Sequence, residues 1–248
     1  MGAQLTVFSL ARRFLALSPA ERGYFLRRFV DQTVHARAGF SQFGEDASIA
    51  AYLRLIGRSC RRYIDIGANH PVLHSNTYLF YRDGASGLLV EANPSIAARL
   101  RRRRPRDTVL NVAVSAKGGG HIDLHIMDFD GLSTVSAAHK DHIVGEGRAR
   151  ITRTARVPLV GINDLLADHA ATGPVDFASL DIEGMDLEVL TAWDFDRSRP
   201  FLFSVETGVI ETKVYAKDAR FAEIMRARGY VPLFETYANT IFVDGRAG

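Results

Sequence analysis

Short apolar runs recur along the chain from residue 62, separated by longer stretches in which apolar residues fall at helical spacing. The runs predict strands at 62–66, 86–91, 108–114, 175–181, 200–206, 230–235 and 239–244. The intervening stretches predict helices at 45–57, 74–83, 94–103, 161–170, 184–192 and 217–228. Regular alternation of this kind implies an α/β fold, a mostly parallel sheet with helices on both faces. Only Glu235-Thr236-Tyr237-Ala238 separates the last two strands, so they form a hairpin and one of them runs against the rest. Residues 121–127 alternate with period two, as a half-exposed strand does. Residues 128–150 are polar and glycine-bearing, and they read as a long functional loop.

Upstream, residues 4–17 and 19–35 have the pattern of two helices, the second opened by Ser18-Pro19-Ala20-Glu21. This divides the chain into an N-terminal helical cap, 1–40, and a main domain, 41–248. The cap is expected to pack on the main domain. A membrane-surface arm or a homodimer contact is the alternative. Arg101 to Arg104 form a charge run at a helix end, where cations complement the helix dipole, and are expected to be solvated.

A chain of 248 residues with 47% hydrophobic content is long and apolar enough for one full-sized core. A net charge of +3, with the basic residues not set in a stripe, does not argue for a nucleic-acid partner. The single cysteine, Cys60, excludes an intrachain disulfide and a multi-cysteine metal site, and suits a reducing cytoplasm. No apolar run reaches the length of a transmembrane helix, and Arg12 and Arg13 break the only leader-like stretch.

Chemistry concentrates where strands end. The first run closes in Asp65-Ile66-Gly67-Ala68-Asn69-His70-Pro71, an acid followed by a tight small-residue turn. Glu91 closes the second run at the spacing of a ribose-binding acid in a βαβ unit. The turn lacks the several glycines that a dinucleotide pyrophosphate needs, and Asn69, His70 and Pro71 obstruct its approach. A smaller, uncharged linkage between ribose and amino acid fits better, as in S-adenosylmethionine.

These motifs resemble a known family. Asp65-Ile-Gly-Ala-Asn69, Glu91-Ala-Asn-Pro94, Asn111-Val-Ala-Val-Ser115 and Asp181-Ile-Glu-Gly184 stand in the order seen in FkbM-type S-adenosylmethionine-dependent methyltransferases. Ser41-Gln-Phe-Gly-Glu-Asp46 upstream is also similar, and the resemblance covers about 40–244. Among such enzymes, those that methylate actinobacterial methylmannose polysaccharides are similar in size and arginine content. The resemblance implies the Rossmann-like class I methyltransferase fold, seven strands with a reversed C-terminal hairpin. It implies that Asp65, Gly67, Ala68 and Asn69 hold the methionine end, Glu91 the ribose hydroxyls, and Asn111 to Val114, with Ala113 among them, the adenine edge. Gln42 is placed near the amino-acid carboxylate.

Asp181 and Glu183 follow the strand where catalytic groups stand in this fold, and Glu206 ends the neighbouring strand. Converging carboxylates suit a divalent ion, Mg²⁺ or Mn²⁺, held by Asp181 and Glu206. The other reading has Asp181 and Glu183 orient cofactor and helix without a metal. No histidine stands three residues after Asp181, so the general base must come from elsewhere. His70, His74, His139 and His142 are candidates, with His142 favoured, while His121, His125 and His169 read as structural or exposed. The expected activity is O-methylation of a sugar hydroxyl on a small-molecule or oligosaccharide acceptor. The alternatives are O- or N-methylation of a non-sugar natural product and a non-catalytic module that keeps the fold.

Overall fold

A computed structural model describes residues 39–128, 133–136, 140–141, 144–147, 149–170, 173–182, 184–211 and 214–247. The chain divides into two compact units, Met1–Ala38 and Gly39–Gly248. The two helices expected at 4–17 and 19–35 lie outside the described residues.

The second unit is an α/β domain. Its elements run α1 (Glu45–Leu55), β1 (Arg62–Ile66), α2 (Tyr78–Arg82), β2 (Ser86–Val90), α3 (Pro94–Arg103), β3 (Thr108–Leu110), β4 (Ala113–Ser115), β5 (Gly118–Met127) and β6 (Ile151–Gly161). They continue with α4 (Ile162–Ala170), β7 (Phe177–Leu180), α5 (Asp186–Ala192), β8 (Leu202–Glu206), β9 (Gly208–Glu211), β10 (Val214–Lys217), α6 (Ala219–Ala227), β11 (Tyr230–Glu235) and β12 (Asn239–Asp244). The main sheet has seven strands in the order β11-β12-β8-β7-β1-β2-β3. Every pair in it is parallel except those made by β12, which runs antiparallel to both β8 and β11. This is the mostly parallel sheet with a reversed C-terminal hairpin that the sequence predicts.

Period-two alternation sorts the buried residues onto two faces. Ile64, Ile66, Leu88, Val90, Leu180, Phe203 and Val205 face α4, α5 and α6 through Leu165, Leu166, Val189, Leu190 and Met225. Tyr63, Leu89, Phe177, Leu202 and Ile241 face α1, α2 and α3 through Ile49, Leu53, Leu79, Ile96 and Leu100. Both faces are covered, which is why these strands read as continuous apolar runs.

Four departures from the sequence reading have local causes. The strand expected at 108–114 is two strands, because the Asn111 side chain donates to the Glu91 and Ala92 carbonyls and turns the chain out of the sheet. After it, β4 joins a second sheet of order β4-β6-β5. The strand β6 lies in a stretch that showed no clean alternation, since residues 151–154 are all exposed. The β9–β10 hairpin was likewise not foreseen. Finally, the helix expected at 74–83 begins only at Tyr78, because Ser75 and Thr77 turn their hydroxyls to other tasks.

Of the expected loop at 128–150, the described parts are fastened to β5. Thr134 is buried and exchanges two backbone hydrogen bonds with His125, and the Asp128 and Arg150 N–H groups donate across the loop's base. No helix among the described residues is long and apolar enough to cross a membrane.

Candidate active site

The C-terminal ends of β1, β2, β7 and β8 converge, where open parallel sheets bind ligands. Beyond Ile66 the chain turns sharply. Gly67 has φ 88° and Asn69 φ 47°, both left-handed. The N–H groups of Gly67 and Ala68 both donate to the Val90 carbonyl, at 2.9 and 3.1 Å. The loop therefore folds over the end of β2. There the Asn69 N–H donates to Glu91 Oε2 at 2.9 Å, and the Asn93 N–H donates to Glu91 Oε1 at 2.7 Å. Two backbone donors thus fix the orientation of a buried carboxylate, each using one lone pair on a different oxygen. Asn93 also caps α3 by accepting from the Ser95 N–H, with Pro94 in the first turn. Asn111 latches the β2 and β3 ends together as described, and Ala113, the first residue of β4, is buried in the second sheet against Leu124, Ile126 and Val157.

On the opposite side the loop abuts β7. The Asp181 N–H donates to the Ile66 carbonyl at 3.0 Å, and the Asp181 carbonyl lies so close that a Cβ on Gly67 would stand 1.6 Å from it. Asp186, which the sequence reading left without a role, shapes the turn that follows. Its two carboxylate oxygens accept from the Ile182 and Gly184 N–H groups at 2.9 and 3.2 Å. Asn76 reaches across from the β1–α2 connection to donate to Ser179 on β7. The pairing of Leu180 with Val205 places Asp181 beside Glu206 on adjacent strand ends, as expected. Glu183, His139 and His142 lie outside the described residues.

Beneath the loop lies a buried polar network. Thr77 Oγ1 donates to Asp65 Oδ2 at 2.6 Å and accepts from Arg104 Nη2 at 3.0 Å. Arg104 also donates to Tyr63 Oη at 2.9 Å, Ser75 Oγ at 3.2 Å and Asp107 Oδ2 at 2.7 Å, and it is fully buried. Tyr63 in turn donates to Asp107 Oδ1, which also accepts from the Gly87 N–H. The expectation of a solvated Arg101–Arg104 run holds for the first three, which are exposed, and fails for Arg104. A helix end directs one residue in four toward the core, and Asp65 and Asp107 supply the counter-charge there. Ser75, Asn76, Thr77, Arg104 and Asp107 are site-supporting residues that the sequence reading missed. The only signal was three consecutive small polar residues where a helix was expected to begin.

Burial pushes the Asp65 carboxyl up to about 6, partly offset by the Thr77 hydrogen bond and by Arg104. The native state therefore binds more protons than the unfolded chain between about pH 4 and pH 6. Stability from this group is fully present below the unfolded value and is lost as pH rises through 6, a difference of roughly 3 kcal/mol. Unfolding free energies of the wild type and Asp65→Asn, measured from pH 4.5 to 7.5, should converge or cross in that window, with the variant gaining relative to the wild type as pH rises. A constant difference would mean that Asp65 titrates as an exposed carboxylate does.

Of the other candidates, Gln42 is exposed on the turn that precedes α1. His70 Nδ1 accepts from the Val72 and Leu73 N–H groups, so the neutral ring carries its proton on Nε2 and offers no lone pair as a base. His74 is exposed, with φ 57°. Among the described residues no three His, Cys, Asp or Glu side chains stand close enough to hold a metal ion.

Residues 65–232 match the family model described as the methyltransferase FkbM domain. Two solved structures are similar to the chain at low identity. A TehB-like SAM-dependent methyltransferase from Corynebacterium glutamicum is 11% identical, with 92% of this chain and 100% of that one covered and a TM-score of 0.43. An O-methyltransferase from Bacillus cereus in complex with SAH is 14% identical, with 92% and 91% covered and a TM-score of 0.44. No curated protein is significantly similar to the chain.

Proposed function

This chain belongs to the methyltransferase FkbM family and is an S-adenosylmethionine-dependent methyltransferase; we propose that it is an O-methyltransferase acting on a sugar hydroxyl of a glycan, glycolipid or glycosylated natural product. The observation that best supports the cofactor assignment is the pinned Glu91 carboxylate. Its two oxygens accept from the Asn69 and Asn93 N–H groups, and a carboxylate held this way is the acceptor-only group that two neighbouring ribose hydroxyls call for. On this reading Asp65, Gly67, Ala68 and Asn69, with Gln42, surround the methionine end, and Asn111 and Ala113 border adenine.

The bound cofactor supplies a methyl group activated by its sulfonium. The chain's part is to align a hydroxyl oxygen with that methyl and to exclude water. Asp181 and Glu183 at the β7 exit are assigned to orienting the acceptor, and His142 to receiving its proton. The acceptor oxygen gains the methyl as the carbon–sulfur bond breaks, and the hydroxyl proton passes to the imidazole.

The test is ligand-dependent stability together with affinity. S-adenosylhomocysteine should raise the melting temperature by mass action, and NAD(H) should not. Glu91→Ala should weaken S-adenosylhomocysteine binding by roughly two orders of magnitude, since it removes two hydrogen bonds to a charged acceptor. Calorimetric titration that finds the same affinity in the variant would refute the ribose assignment.

A further inference from the structure

Two large aromatic side chains stand exposed side by side at the ligand end of the sheet. Phe43 is 39% exposed and Tyr237 54% exposed, with ring centroids 5.5 Å apart and planes inclined by 53°. They come from opposite ends of the domain's sequence, one from the turn before α1 and the other from the β11–β12 turn. One buried carboxylate ties the two turns together. Glu45 Oε2 accepts from the Phe43 N–H at 3.0 Å, while Oε1 accepts from Thr236 Oγ1 at 2.7 Å and from Asn239 Nδ2 at 2.8 Å. Burial raises the Glu45 carboxyl, but these hydrogen bonds outweigh it and keep the group below its ordinary value. It is therefore ionised at neutral pH, and the ring pair is held in place before any ligand arrives.

Polar groups flank the rings on the side toward the transfer site. Asn239 pairs with Glu206, the last residue of β8. Lys217 Nζ donates to the Asn239 carbonyl at 3.1 Å, and the fields of Glu235, Glu206 and Glu45 act on it. Apolar ring faces beside a carboxylate and an ammonium match the two surfaces of a sugar, its C–H face and its hydroxyl edge. Position adds a size. One strand, β8, separates β12 from β7 and its Asp181, a distance of about 10 Å at ordinary strand spacing. That exceeds the span of one sugar ring.

We propose that the Phe43–Tyr237 pair is a platform for a second sugar ring of the acceptor, next to the ring that is methylated, with Glu206 and Lys217 binding its hydroxyls. This rests on the sugar-acceptor reading above and narrows it to acceptors of at least two sugar units.

The experiment measures methyl transfer to methyl glycosides of mannose, glucose, galactose and rhamnose and to their methyl disaccharides, with binding to the S-adenosylhomocysteine-loaded protein followed by saturation-transfer NMR. The wild type should favour a disaccharide. Tyr237→Ala should raise the disaccharide KM roughly tenfold, the loss expected for one stacking ring. The same variant should keep its S-adenosylhomocysteine affinity, which reports an intact fold, and Tyr237→Trp should restore the disaccharide KM. If a disaccharide is methylated with equal KM by the wild type and Tyr237→Ala, the platform is wrong while the sugar reading stands. If no glycoside binds or reacts, the sugar reading fails and the platform with it.

Discussion

Gly67→Ala should abolish S-adenosylhomocysteine binding and destabilise the domain by about 3–5 kcal/mol, the sum of left-handed strain and a backbone clash. Gly67 holds φ 88°, and an added Cβ would lie 1.6 Å from the Asp181 carbonyl oxygen, 2.7 Å from its carbon and 3.3 Å from Ile182 Cγ2. The two nearest atoms are backbone and cannot swing aside. The Asp181 N–H is tied to the Ile66 carbonyl, so relief requires β1 and β7 to separate at the end where the loop must hold its shape. Gly119 is the control. It has φ 107°, but a Cβ there meets nothing within 4 Å, so Gly119→Ala should cost only the conformational strain, about 1–2 kcal/mol. Denaturant unfolding and calorimetric titration on both variants separate strain from clash. If Gly67→Ala binds S-adenosylhomocysteine within a few-fold of wild type, the loop does not form part of the cofactor site.

Arg104→Met is expected to cost about 3–5 kcal/mol, because it strips a buried ion pair of one partner. The guanidinium is fully buried and reaches four oxygens: Tyr63 Oη, Ser75 Oγ, Thr77 Oγ1 and Asp107 Oδ2. Removing it leaves Asp107 uncompensated and takes from Asp65 one of the two influences that lower its pKa. The Asp65 carboxyl should then titrate higher, and the pH window described above should move upward with it. Arg104→Lys should not rescue stability, since a single ammonium cannot span the same set of acceptors. Urea unfolding is the measurement, and a loss below about 1 kcal/mol would show that the network relaxes around the missing cation.

The main sheet was legible in the sequence because burial on both faces leaves unbroken apolar runs, and because a four-residue turn can join only antiparallel neighbours. The turn after β1 was legible for a different reason. Gly67, Asn69 and Glu91 sit at strand ends, where a residue's type answers to the turn and not to the core. Tertiary partners were not legible. Glu45 bonds to residues 191 and 194 positions away, and no local pattern encodes that. Arg104 looks identical to the three arginines before it, but it stands at the C-cap of α3, where the backbone leaves the helix with φ −127° and the side chain is buried. The strand β6 escaped because its first four residues face water on both sides, which erases the alternation that marks a strand. Asp181 and Glu206 were expected on adjacent strand ends, and the pairing of β7 with β8 puts them there.

The position of β12 sets the order in which the domain can be finished during synthesis. It lies between β8 and β11, and both precede it in the chain. As the polypeptide leaves the ribosome, β8 emerges with one edge unpaired, and Glu45 has long been made without the Thr236 and Asn239 donors that satisfy it. Neither defect is repaired until the final hairpin arrives and β12 slides in between its neighbours. The nascent domain thus carries an open edge on β8 until β12 is made, and a Glu45 carboxylate short of its Thr236 and Asn239 donors for much longer, and one late insertion closes both.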